Sequence, residues 1–258
     1  MNLLWRCRGE RTCLSSLLLF FLGLFALFLF VIILKNMEYE EVIKELKSLS
    51  NPTKENIEGM KRFGITPKTE LLCVPIPKVR KLAKKIGKNH VLALKLWDSK
   101  MHEARILAGI IDEPEKVTES QMEKWVKGFD SWDVCDQTCG NLFDKTKFSY
   151  KKIGEWADRK EEFVKRTPFA LMAWLSVHDK KAKDSDFIKF FPLIEKASTD
   201  ERNFVKKAVN WALRQIGKRN ARLNKKTIAL AKKIEKKDSK SAKWIARNAI
   251  KELKNKRF

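Results

Sequence analysis

The sequence predicts an all-α protein built from recurring helix pairs, and three observations carry that prediction. From Glu38 onward, glycine and proline are scarce and fall between amphipathic stretches. No run of alternating β-branched residues marks a strand. Apolar residues recur with helical rhythm in segments that pair up at roughly 80–110, 118–145, 150–178, 187–218 and 225–253. Units of this length are typical of arrays in which each pair buries its face on the next. An irregular all-α bundle fits the same rhythm.

Taken in order, Glu41–Ser48 reads as a short amphipathic helix and Val79–Ile86 as a second, opened by Pro77. Val91 to Leu107 reads as one helical stretch, with Leu94, Trp97 and Met101 in step. Thr227 to Ile234 places Ile228, Ala231 and Ile234 on one face. In the last helix Ala242, Ile245, Ala246, Ala249, Ile250 and Leu253 form an apolar stripe, and Lys243, Arg247, Lys251 and Lys254 point away from it. Breaks are expected at Gly64, Pro75–Pro77, Gly87, Gly128, Pro168 and Gly217, among others. Trp97, Trp125, Trp156, Trp174 and Trp244 are assigned to packing.

The first 36 residues stand apart. Leu14 to Leu34 is uncharged and long enough to span a bilayer, and it follows Arg6, Arg8 and Arg11. Residues 1–36 therefore read as a hydrophobic helical extension, either a membrane anchor or the product of an upstream start, with Met37 opening the domain at 37–258. Of 55 basic and 32 acidic residues, the extension holds four and one, so the remainder carries 51 against 31, an excess of 20. Such a body attracts polyanions, nucleic acid first and an acidic membrane surface second.

The five cysteines, Cys7, Cys13, Cys73, Cys135 and Cys139, form no disulfide framework and no zinc-ligand spacing. Cys135 and Cys139 read as small buried apolar residues. Phosphate-binding glycine loops, zinc-finger and metalloprotease motifs, and a Ser-His-Asp arrangement are all missing from the sequence.

Two segments carry the chemistry. Trp132 and Asp136 in Ser131-Trp132-Asp133-x-x-Asp136 are four residues apart, one above the other on a helix. Lys207, Trp211, Arg214 and Lys218 follow an i, i+4, i+7, i+11 rhythm and form a cationic stripe around an indole. With Ser50-Asn-Pro-Thr, Met60-Lys61-Arg62-Phe63-Gly64-Ile65, Val74-Pro-Ile-Pro77, Leu96-Trp97, His102-Glu103-Ala-Arg105 and Lys165-Arg166, these segments make the chain resemble the DNA alkylation repair glycosylases of the AlkD type over about residues 48–253.

That resemblance implies a HEAT-like repeat superhelix, an α-α solenoid. It implies a metal-free, cofactor-free glycosylase that hydrolyses the N-glycosidic bond of cationic N3- or N7-alkylated purines. Asp136 is then the catalytic carboxylate, and Trp132 and Trp211 hold the deoxyribose between aromatic faces. Arg166 contacts a backbone phosphate, and Lys207, Arg214 and Lys218 are read as gripping DNA from the basic stripe. The expected partner is double-stranded DNA containing alkylated bases. The protein is expected to be a cytoplasmic monomer, with membrane association only through residues 14–34. Where the family often has small apolar residues after the second arginine, this chain has Thr167-Pro168. Two other readings fit the residues: a non-catalytic HEAT-like binder of DNA or RNA, and a membrane-anchored helical scaffold.

Overall fold

In the computed structural model, residues 37–258 are described; the hydrophobic extension expected at 1–36 lies outside them. The chain forms fourteen α-helices among the described residues, and the only strand-like pairing there is an isolated bridge between Glu70 and Met101. Four helices lead in: α1 (Tyr39–Ser48), α2 (Lys54–Arg62), α3 (Ile76–Ile86) and α4 (His90–Asp98). They continue as α5 (His102–Ile111), α6 (Glu119–Lys127), α7 (Trp132–Asn141), α8 (Ser149–Trp156) and α9 (Glu162–His178). The remainder are α10 (Asp184–Ile188), α11 (Phe191–Ala197), α12 (Asn203–Gly217), α13 (Ala221–Glu235) and α14 (Lys240–Lys254).

Short polar side chains begin many of these helices by accepting a hydrogen bond from an otherwise orphaned first-turn N–H. Thr53 caps α2, Asn89 caps α4, Thr118 caps α6, Asn220 caps α13 and Ser239 caps α14. Pro75 and Pro77 open α3, where a missing N–H costs nothing.

The helices pair as α4/α5, α8/α9, α11/α12 and α13/α14, close to the units expected from the sequence, but the expected 118–145 unit is not a closely packed pair, since α6 lies against α9 instead. Five helices pack side by side in chain order, α5 on α7, α7 on α9, α9 on α12 and α12 on α14. Burial follows the apolar stripes: Val205, Ala208, Val209, Ala212, Leu213 and Ile216 of α12 lie in one core with Ala242, Ile245, Ala246 and Ala249 of α14. An aromatic ladder joins consecutive repeats. Trp97 stacks on Trp125 at 4.2 Å, Trp125 meets Phe143 at 6.4 Å, and Phe143 meets Trp156 at 6.2 Å. Cys135 and Cys139 are fully buried, as expected of small apolar residues.

Three local expectations are corrected. The stretch Val91–Leu107 is two helices, because Lys100 adopts a left-handed φ of 59° and Met101 bridges to Glu70, which ends the first helix. Pro168 does not break a helix; it sits inside α9. The N–H it lacks is the one that would serve the Val164 carbonyl, and the Thr167 hydroxyl donates to the neighbouring Phe163 carbonyl at 2.8 Å. Trp244 is not a packing residue, since 41% of it is exposed. Among the described residues no helix is long and apolar enough to cross a membrane.

Candidate functional site

Ser131 precedes α7, and the first two turns of that helix project Trp132 and Asp136 on one side. Asp136 faces α9, where Arg166 takes both of its oxygens: Nε donates to Oδ1 at 2.9 Å and Nη2 to Oδ2 at 2.7 Å. Arg166 also donates through Nη1 to the Phe204 carbonyl at 2.5 Å, which ties α9 to α12. The Asp136 side chain keeps 14% of its surface exposed and that of Arg166 only 6%. Burial pushes the Asp136 carboxyl above its ordinary value, against the pull of the Arg166 guanidinium. Three of the five guanidinium N–H donors are in use.

Trp132 and Trp211 are both half-buried. The Trp132 indole N–H donates to the Phe63 carbonyl at 3.0 Å. The adjoining Gly64 has φ +76°, and a Cβ there would come within 2.8 Å of Phe204 Cζ, so the Phe204 ring lies against its backbone. The turn after α2 therefore bridges α7 and α12, the helices that carry the two indoles. Trp211 meets Trp174 edge to face at 5.5 Å, and the Trp174 N–H donates to the Asp136 carbonyl at 3.0 Å. Gly140, one turn beyond Asp136, makes room: a Cβ there would lie 2.3 Å from the Trp174 ring. Trp174 is thus the link between Asp136 and Trp211.

The cationic stripe of α12 is divided. Glu252 of α14 accepts from Arg214 Nη1 and, at 2.8 Å, from Lys218 Nζ. Burial would raise the Glu252 carboxyl, but Lys218 and Arg214 hold it below its usual value. Glu252 supplies a structural reason for Arg214 and Lys218 to share a face. Lys207 is exposed.

Beside Trp132 lies a pocket of about 350 Å³, lined in part by Met60, Ile76, His102, Glu103, Trp132 and Asp133. His102 Nε2 and Asp133 Oδ2 are 2.8 Å apart, and the Ser131 hydroxyl donates to Asp133 Oδ1 at 2.5 Å. Burial opposes charge on both partners, yet their mutual bond raises the imidazole and lowers the carboxyl. Asp133 is therefore a buried anchor for the start of α7. Glu103, also buried, accepts the Leu72 and Val74 N–H groups at 3.0 and 3.2 Å and fixes the pocket wall. Sequence reading missed Trp174, Phe204 and Glu252 as members of the site, because their link to Asp136 and the stripe runs between helices and leaves no local spacing to find. Among the described residues no cluster of three or more His, Cys, Asp or Glu is arranged to hold a metal ion.

Consecutive helices stacked side by side in repeating units define a HEAT-like repeat protein. The profile of the DNA alkylation repair enzyme family matches residues 42–253, and the chain belongs to that family. A solved protein from a family related to the HEAT-like repeat DNA glycosylases, with affinity for branched DNA structures, has a similar fold. It aligns at TM-score 0.68 and 20% identity, over 84% of this chain and 96% of that one. A designed armadillo repeat protein aligns over 81% of this chain and 98% of its own at 14% identity, with a TM-score of 0.36. No curated protein matches the chain.

Proposed function

We propose that the protein is a DNA glycosylase that releases cationic N3- or N7-alkylated purines. An alkylated purine leaves as a neutral base, so its departure needs no protonation. The demand falls on the deoxyribose, which becomes oxocarbenium-like as the bond breaks. An ionised Asp136 meets that charge and orients the attacking water. Trp132 and Trp211 flank the sugar, where aromatic faces attract a developing cation by about 0.5–2 kcal/mol each. Lys207, Arg214 and Lys218 grip the phosphates.

The observation that carries this reading is Asp136 itself. It is a carboxylate with both oxygens fixed by one guanidinium, a small part of its surface open, on the same helix face as Trp132 and tied through Trp174 to Trp211. The bidentate grip opposes the upward push of burial on the carboxyl without cancelling it, and leaves each oxygen a further lone pair. Arg166 is then a positioning residue, and the phosphate contact implied by the resemblance would use its two remaining N–H donors.

One observation favours a second reading. The similar solved protein has affinity for branched DNA structures, and the same residues without turnover would make this chain a recognition protein for DNA shape.

The test is release of 7-methylguanine from duplex DNA by the purified chain and by Asp136→Asn, with binding followed by fluorescence anisotropy and folding by thermal melting. Release by the parent and a loss of about 10²–10³-fold in a folded, DNA-binding variant is the expected result. Equal release by both removes Asp136 from its role. Binding without release by either establishes the second reading.

A further inference from the structure

Trp244 and the cations around it form a surface outside the site above. The neighbours of Trp244 in the sequence, Ala242, Ile245 and Ala246, are buried in the core, whereas the indole is 41% exposed. With Lys240, Lys243, Arg247, Asn248 and Lys251 it lines an open hollow along α14, and no carboxylate is among the lining residues. These positions lie at i−4, i−1, i+3, i+4 and i+7 from the indole, so most of them share its side of the helix. Lys206 of α12 adds a cation, its Nζ 5.4 Å from the Trp244 ring centroid. Lys243 reaches Asp238 at 3.4 Å and Arg247 reaches Glu235 at 3.2 Å. Both are exposed pairs of the kind that contribute little and that a polyanion displaces easily.

An indole open to water and flanked by cations is what an unstacked base with its phosphates requires. Base–aromatic stacking tolerates any sequence, and the lysines and arginine follow the backbone. An intact duplex offers phosphates to such a face, but its bases are stacked on one another and cannot reach a ring on a helix flank. We infer that the Trp244 face of α14 binds the unpaired bases of a single-stranded DNA segment that continues from a duplex. Lys206 joins the surface to α12, the helix that also carries the cationic stripe. The inference shares with the proposed function only the identity of the polyanion as DNA; it does not use Asp136 or base release.

The experiment measures anisotropy of labelled, unmodified DNA with the whole chain, comparing a blunt duplex with the same duplex extended by a single-stranded tail. The parent is expected to bind the tailed DNA more tightly. Trp244→Ala should weaken tailed-DNA binding by about fivefold and leave blunt-duplex binding near the parent value, and Trp244→Phe should restore most of the difference. Lys240→Ala with Lys251→Ala should weaken both DNAs and flatten their salt dependence. An RNA tail bound more tightly than the DNA tail assigns the surface to RNA and overturns the inference. So does a parent without preference for the tail, or a Trp244→Ala variant that binds both DNAs as the parent does. A chain that releases 7-methylguanine but ignores the tail sinks this inference alone; one that prefers the tail but releases no base sinks only the catalytic reading.

Discussion

Arg166 holds Asp136 from across the α7–α9 boundary through two parallel hydrogen bonds, at 2.9 and 2.7 Å, and a third donor reaches Phe204 on α12. The pair couples the carboxylate proposed for catalysis to the packing of three helices. Removing one member of a buried ion pair strands the other, at a cost of about 3–5 kcal/mol. Arg166→Met is expected to lower stability by that order, and Asp136→Leu combined with Arg166→Met to recover much of the loss. Denaturant unfolding of the two singles and the double checks this; additive losses would mean that the residues do not act as a unit.

Gly140 lies inside helix α7, where alanine would ordinarily stabilise by about 1 kcal/mol. Here the added methyl would meet the Trp174 ring at 2.3 Å. Gly140→Ala is therefore expected to destabilise by about 1–3 kcal/mol, the usual cost of overpacking. It should also loosen Trp211, whose indole rests on Trp174. A raised melting temperature would show that Trp174 is free to move aside.

Glu252 restrains two of the cations proposed to meet phosphate, Arg214 and Lys218. Glu252→Gln frees both charges without removing either. Affinity for DNA should rise at low salt, and the slope of log K against log salt should steepen by about one to two. An unchanged slope would place those side chains away from the DNA backbone.

Asp200 lies just before α12 and receives the Arg202 guanidinium and backbone N–H, with Lys165 Nζ at 3.3 Å. Burial would raise its carboxyl, but these donors draw it down to about 2. Its folded value lies below its unfolded one, so its stabilisation is present above the ordinary carboxylate value of about 3.9 and fades as the pH falls toward 2. Asp200→Asn should reduce stability at neutral pH and flatten the decline over that acidic window. Parallel stability curves for parent and variant would remove Asp200 from the acid response.

The all-α class, the pairing of most helices and the interior faces of α12 and α14 were legible in the sequence, because helical periodicity alone decides which residues share a face. The same rule put Trp132 with Asp136, and Trp211 with Lys207, Arg214 and Lys218. Periodicity is silent on how far each helix is rotated against its neighbour and on what that neighbour presents. The Asp136–Arg166 pair, the Trp174 bridge, the hold of Glu252 on the stripe and the contact of Gly64 with Phe204 all join residues about 30 to 140 positions apart. Trp244 shows the limit most sharply. Its spacing already sets it outside the apolar stripe of its helix, yet only the packing of α14 against α12 and α13 left the indole uncovered and open to water. Tertiary contact decided this because the free energy of burial depends on the surface that meets a side chain, and the spacing of residues along one helix does not contain that surface.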